Sequence, residues 1–278
     1  MTADRTKRIV KESIDRIYVE SDLRHKNFFM SSPHCHSYYE IYYIENGTCR
    51  FFIENNMYDL KSGDFLFIPK QVFHYTRYLF GNCKKISLFF RDEDVGEEVK
   101  KLLPQGKDFF SKIRIFETGE GRAEQINFLL LRMINEEKLA DAQTELMLHH
   151  LLAELFLLLI RSCNMLLDMP ADIHTTDRQI VQAAKFISAN YAERISTEDI
   201  AAAVGYSPNY LSRKFKESVG IGVHEYIVFI RLQNAANELL STKDKITDIA
   251  LRCGFSDSNY FKDAFKKKYG LTPRAYRK

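Results

Sequence analysis

Near its C-terminus the chain writes the same short unit twice. Ile200–Gly220 reads IAAAVGYSPNYLSRKFKESVG and Ile249–Gly270 reads IALRCGFSDSNYFKDAFKKKYG. The copies stand 49 residues apart at Gly205/Gly254 and 50 apart at Phe215/Phe265, which places one extra residue in the second turn. Each has the pattern of a helix-turn-helix: a short apolar helix, a turn with Gly, then a longer basic helix. Two basic helices in fixed relation can read two stretches of major groove with one polypeptide. Double-stranded DNA is therefore the leading partner.

Local chemistry supports the repeat. Ser207 and Ser256 are expected N-caps, and Pro208 falls at the first helical position, where a missing N–H costs nothing. Leu211, Phe215 and Val219 mark one buried stripe; Phe261, Phe265 and Tyr269 mark the other. Gly205 and Gly254 sit where a helix must end and the chain reverse. The exposed faces are then Asn209, Ser212, Arg213 and Lys216 in the first copy, and Ser258, Asn259, Lys262, Asp263 and Lys266 in the second. Such side chains hydrogen-bond base edges and phosphates. Two ordinary amphipathic helices with solvated faces are the plainer alternative, and the matching caps, turns and stripes weigh against it.

Charge divides the chain in the same way. Residues 178–278 hold 17 Lys and Arg against 10 Asp and Glu, a net of +7, while residues 1–177 carry a net of −4. Only one of two domains is thus built to meet nucleic acid. Asp168–Asp177, DMPADIHTTD, is the expected linker. No signal-peptide pattern opens the chain, and Leu146–Ile160, its most apolar segment, is interrupted by His149, His150 and Glu154. The expectation is a cytoplasmic protein without a membrane partner, its five cysteines reduced.

In the N-terminal half, aromatic and β-branched runs from Tyr38 to Phe90 are cut by Asn46-Gly47, Asn55-Asn56, Ser62-Gly63-Asp64 and Gly81-Asn82. That rhythm predicts a compact antiparallel barrel or sandwich, and α+β for the whole chain. On a strand, His34, His36, Tyr38, Glu40 and Tyr42 share one face, and His74 could approach from an opposing strand. The expected effector-binding residues are His34, His36, Tyr38, Glu40, Tyr42 and His74. Of these, His34, His36, Glu40 and His74 are also a ligand set for a divalent transition metal, although none is required. Phe51, Phe65, Phe67, Phe73 and Tyr75 are further aromatic candidates for the pocket wall, which would suit a sugar ring or another small amphipathic ligand. Helices are expected over Glu124–Lys138 and Thr144–Cys163. The first buries Ile126, Leu129, Leu130, Met133 and Ile134. The second carries Leu nearly all round, so it must meet more than one neighbour, the barrel and either a linker or a second subunit.

Residues 178–278, through both repeats, the linking helix with Arg231, Ala235, Leu239 and Leu240, and the closing GLTPRAYR, resemble the DNA-binding domain of AraC/XylS-family transcription regulators. The resemblance implies seven helices and places base contacts at Asn209, Ser212, Arg213, Ser258, Asn259, Lys262 and Asp263. Asp263 departs from the Arg common there and could accept from cytosine N4. The run PHCHSYYEIYYIENG followed by GDFLFIPKQVFHY resembles the two cupin motifs, with Gln71 in place of the usual Gly and Tyr78 where Asn is common. Together these imply a cupin-like sensor (1–121), a helical dimerisation region (122–168) and the double helix-turn-helix domain (178–278). They imply an effector-controlled regulator and no enzyme, with a homodimer and RNA polymerase as partners. The alternatives are a metal-dependent cupin enzyme with an accessory DNA-binding domain, and a constitutive DNA-binding protein whose barrel only dimerises.

Overall fold

The computed structural model describes residues 14–25, 28, 34–53, 56–72, 74–78, 81–103, 106–118, 123–166 and 178–277. The expected linker 168–177 and the residues Asn55 and Phe73 lie outside them. The chain forms two compact units, Met1–Thr175 and Thr176–Lys278.

The first unit runs β1 (Tyr18–Arg24), β2 (Tyr39–Asn46), β3 (Thr48–Ile53), β4 (Asn56–Lys61), β5 (Asp64–Ile68), β6 (His74–Arg77), β7 (Cys83–Phe90), α1 (Glu97–Leu102), β8 (Arg114–Thr118), α2 (Ala123–Leu139), α3 (Thr144–Ser162) and β9 (Cys163–Leu166). A six-stranded sheet, β1-β7-β2-β5-β8-β9, faces a three-stranded one, β4-β3-β6, and the strand pairs are antiparallel. Strand alternation sorts the side chains of the larger sheet into two cores. Tyr42, Ile44, Leu66 and Ile68 pack inward against Phe51, Ile53, Tyr58 and Leu60 of the smaller sheet. Tyr39, Ile41, Tyr43, Phe65, Phe67, Leu88 and Phe90 point the other way, onto α2 and α3.

Phe65 and Phe67, expected in the pocket wall, therefore belong to the helix-facing core. Their odd positions on β5 set them opposite Leu66 and Ile68. The two long helices match the sequence, and Ile126, Leu129, Leu130, Met133 and Ile134 are the buried face of α2. Cys163 does not end a helix: α3 stops at Ser162, and Cys163–Leu166 pairs with β8 from Thr118↔Cys163 to Ile115↔Leu166. A four-residue apolar run carries no periodicity of its own, and the open edge of β8 decides it. Among the described residues no helix is long and apolar enough to cross a membrane.

The second unit comprises α4 (Arg178–Asn190), α5 (Thr197–Val204), α6 (Pro208–Val219), α7 (Val223–Ser241), α8 (Ile246–Arg252), α9 (Ser258–Tyr269) and α10 (Pro273–Tyr276). These are the seven helices that the resemblance implies. Ser207 caps α6 with Pro208 at its first position, and the Gly205 backbone is left-handed at φ 72°. In the second repeat the cap is Asp257 and not Ser256: its carboxylate accepts from the Asn259 and Tyr260 amides at 2.7 and 3.4 Å. The extra residue of the second turn is thus the cap itself, and it displaces Ser256 by one position.

Gly254 joins the repeats. Its φ is +86°, and a Cβ there would lie 2.7 Å from the Tyr191 carbonyl oxygen and 2.8 Å from Arg231 Nε. Arg231, from α7, donates through Nε to the Tyr191 carbonyl (2.7 Å) and through a terminal nitrogen to that of Glu193 (2.8 Å). Gly254→Ala should therefore destabilise the protein by more than about 1 kcal/mol, since it adds left-handed strain to a backbone clash. Gln71 holds a left-handed φ of 59° where the cupin pattern has Gly. Gln71→Gly should leave stability unchanged or raise it by up to about 1 kcal/mol. Thermal unfolding of the two variants beside the parent protein measures both.

Candidate functional site

Inside the barrel, backbone pairing gathers the histidines. The His34 and His74 main chains exchange hydrogen bonds of 3.1 and 3.0 Å, and the Gln71 amide donates to the His36 carbonyl at 2.8 Å. These contacts draw the segment before β2 against β6. Glu40, buried on β2, places Oε2 3.2 Å from His36 Nε2 and 3.3 Å from His74 Nε2. The His34 ring meets the His74 ring edge-on at 4.3 Å, and the Tyr38 ring stacks on His36 at 4.2 Å. Five of the six expected effector residues form this one cluster. Tyr42 lies a step further along the face, packed edge-on against Phe51, with its hydroxyl bonded to that of Tyr78. Tyr78, at the position where Asn is common, is thus buried on the inward side beside Tyr42. Tyr75 pairs with Phe52 on the opposite face of the small sheet.

The ring orientations restrict the chemistry. His36 Nδ1–H donates to the Tyr38 carbonyl at 2.7 Å, and His74 Nδ1–H donates to that of Val72 at 3.1 Å. Each Nε2 therefore faces the carboxylate, and that approach is favourable only with a second proton or a cation between them. Burial alone would raise the Glu40 carboxyl, but the hydrogen bonds and charge of His36 and His74 hold it well below the usual carboxylate range. Burial, reinforced by His74, pushes His34 well below its ordinary value, and among the described residues its Nδ1 has no hydrogen-bond partner. The nitrogens of His34, His36 and His74 lie within 4.8 Å of one another. This donor set, with carbonyls fixing two of the rings, fits a divalent transition metal.

In the second unit Asn209, Ser212, Arg213 and Lys216 are exposed along α6, as are Asn259, Lys262, Asp263 and Lys266 along α9; Ser258 is half-buried. Among the described residues no ion pair engages Arg213, Lys216, Lys262, Asp263 or Lys266. Leu211, Phe215 and Val219 are buried beneath α6, and Phe261 and Phe265 beneath α9. Tyr269 is half-buried against the same core as Phe261 and Phe265. Apart from the half-buried Ser258, the expected DNA-contacting side chains of both helices are thus exposed, and among the described residues their charged groups make no ion pair.

A family profile described as "AraC-like ligand binding domain" matches residues 21–152, and one described as "Helix-turn-helix domain" matches residues 200–278. The chain belongs to the AraC family. It is similar to the HTH-type transcriptional activator RhaS of Enterobacter sp. (strain 638), 26% identical over 249 residues that cover 88% of this chain and 86% of that protein. RhaS of Klebsiella pneumoniae (strain 342) is 25% identical over 272 residues, 96% of this chain and 94% of the relative. A solved AraC-type DNA-binding regulator from Chromobacterium violaceum is 34% identical over 37% of this chain and 91% of its own, with a TM-score of 0.36. The AraC-type chain is a sequence-specific DNA-binding transcription regulator controlled by a small effector, and not an enzyme.

Sequence reasoning missed two groups at these sites. Tyr210 and Tyr260 occupy matching places in the first turns of α6 and α9 and are 40% and 47% exposed. The Arg213 guanidinium lies 5.5 Å from the Tyr210 ring centre. Their recurrence within each repeat was the available signal, masked because tyrosine reads as core. Glu20, Ser87 and Lys85 share the inward face with Tyr42, through the registers Glu20↔Ser87 and Tyr42↔Ser87. They could not be placed without β1. Glu40 is the hub of its cluster, so Glu40→Ala should destabilise the protein by about 3 kcal/mol by leaving two buried imidazoles without their acceptor. Glu40→Gln should cost less. Denaturant unfolding compares the two.

Proposed function

We propose that the effector of this AraC-family chain binds within the barrel against His34, His36, Tyr38, Glu40, Tyr42 and His74. The observation that carries this reading is the buried Glu40 carboxylate bracketed by two imidazoles on an inward face. Tyr38 and Tyr42 beside it suit the C–H faces of a sugar ring, so a sugar is the favoured effector. The RhaS relatives bear the name of activators, which supports activation through RNA polymerase for this chain too. A cytoplasmic location follows from a chromosomal target. A homodimer is favoured by the outer apolar side chains Phe128 and Leu131 on α2 and Leu146 and Met147 on α3. Leu155, in contrast, is fully buried against the barrel core.

A metal in the barrel is a second reading, favoured by the unpartnered His34 Nδ1 and the three converging imidazoles. His34, His36 and His74 would hold the ion, with Glu40 as fourth ligand, and the ion would orient an effector oxygen. Metal content after purification without chelator, in the parent and in His34→Ala, separates the two readings.

On DNA, Asn209, Ser212, Arg213 and Lys216 serve one groove, and Ser258, Asn259, Lys262, Asp263 and Lys266 the next. If Arg213 reads a guanine, Arg213→Ala should cost about 1–3 kcal/mol and relax preference at one base position. Tyr210→Ala should weaken the same preference and add little to Arg213→Ala, since both remove one supported guanidinium. Operator titrations at fixed salt with single-base variants check this; full additivity would separate the two residues. His36→Ala should lose the effector-dependent change in operator affinity, and a normal response at ordinary effector concentration would place the pocket elsewhere. Phe128→Glu should lower the assembly state in sedimentation.

A further inference from the structure

A second buried polar group lies on the inward barrel face, along the seam between β1 and β7. Lys85 is buried there and donates to Ser87 Oγ at 2.8 Å. Its ammonium stands 3.6 Å from Glu20 Oε1, 3.6 Å from Asp22 Oδ2 and 4.8 Å from the centre of the Tyr42 ring. The gap to each carboxylate exceeds a hydrogen bond, so among the described residues the ammonium commits one of its three donors. Glu20 Oε1 is buried and, among the described residues, has no hydrogen-bond partner. Lys85 thus pairs ionically with both carboxylates, while the ammonium and Glu20 Oε1 each keep hydrogen-bonding capacity that one further polar group beside the pair would satisfy.

The charges define which polar group suits that place. Glu20 and Asp22 are balanced by Lys85 and by Arg24, which donates to Asp22 at 2.8 Å. A charged ligand would unbalance a low-dielectric site, whereas a hydroxyl accepts from the ammonium and donates to the carboxylate. Cross-strand register sets Glu20 opposite Ser87 and Ser87 opposite Tyr42, two residues along β2 from Glu40. A compact ligand can therefore span from this seam to the imidazole cluster over the Tyr42 ring.

We propose that Glu20, Ser87 and Lys85 form a second wall of the effector pocket and bind a hydroxyl of an uncharged, polyhydroxylated effector. This rests on the placement of the effector in the barrel and adds to it the residues that select neutral over ionic ligands. Glu20 supplies the acceptor and Lys85 the donor, while Ser87 keeps the ammonium oriented.

Thermal unfolding of the full chain tests the assignment, with pentoses, hexoses and their alditols as probes and the matching uronic acids and free amino acids as charged controls. At least one neutral probe should raise the Tm, and Glu20→Gln and Lys85→Met should each weaken its apparent Kd by about tenfold or more. Glu20→Gln keeps the side-chain shape, so it remains informative if Lys85→Met unfolds. Three results overturn the proposal: no neutral probe shifts the parent protein, only charged controls do, or both variants bind the neutral probe as the parent does. The last would mean that no ligand hydroxyl reaches the pair. His36→Ala separates this failure from that of the pocket itself. Binding lost in His36→Ala but kept in Glu20→Gln leaves the pocket in place without this wall, and the reverse pattern removes the imidazole cluster from the pocket.

Discussion

One guanidinium ties the helix between the repeats to the loop that precedes the first of them. Arg231 projects from the helix between the repeats and donates to the Tyr191 and Glu193 carbonyls, which close the loop before α5. Gly254, in the turn of the second repeat, presses against Arg231 and Tyr191 closely enough to exclude a Cβ. Burial lowers the Arg231 pKa from its ordinary value and nearby Tyr260 offsets part of that change, so the cation sits in the packed junction. Tyr191 also packs on the core formed by Leu232, Phe255, Phe261 and Phe265. The linking helix, the loop before α5 and the turn of the second repeat therefore meet at one junction. In an α-helical domain whose helices are each marginal alone, such a junction converts two modules into one reader.

In the barrel the equivalent constraint is strand parity. Successive residues on β2 and β7 serve opposite masters: Tyr39, Ile41 and Tyr43 hold α2 and α3, while Glu40 and Tyr42 face the interior. The Glu40–imidazole cluster and the helix-facing core thus lie on two sides of the same strand. A ligand that shifts β2 has to disturb the packing of Phe65, Phe67 and Phe90 against α2 and α3, because a close-packed core transmits small displacements. Differential binding to two arrangements of that packing is what effector control requires.

Much of this was legible from residues alone. The exposed helix faces, the buried stripes, the Ser207 cap and the inward-facing Glu40 and Tyr42 follow from helical and strand periodicity, whereas His34 and His36 precede β2 and reach the cluster through backbone contacts with His74 and Gln71. What escaped has physical reasons. The Asp257 cap was hidden because Ser256 aligned with Ser207, and a one-residue insertion is absorbed at the turn. Phe65 and Phe67 looked like pocket wall because aromatic content says nothing of face; only parity against Leu66 does. Cys163, the first residue of β9, was read as helix end because its partner, Thr118 on the β8 edge, is 45 residues away in sequence. β1 was missed for a different reason: YVESDLR mixes polar residues at its inward positions, the very Glu20 and Asp22 that face Lys85. A strand whose inner face is charged lacks the apolar alternation by which strands are recognised.

The central claim is that one chain presents both recognition helices as a single rigid body to successive major grooves. Its direct test is affinity for operators in which base pairs are inserted between the two half-elements. A rigid reader should lose the contribution of one element on insertion of a few base pairs and should not recover it after a full turn of about 10 base pairs, since distance as well as phase is fixed. Recovery of parental affinity with the full-turn insertion would show that the repeats move independently, and the Arg231–Gly254 junction would not govern how this protein reads DNA.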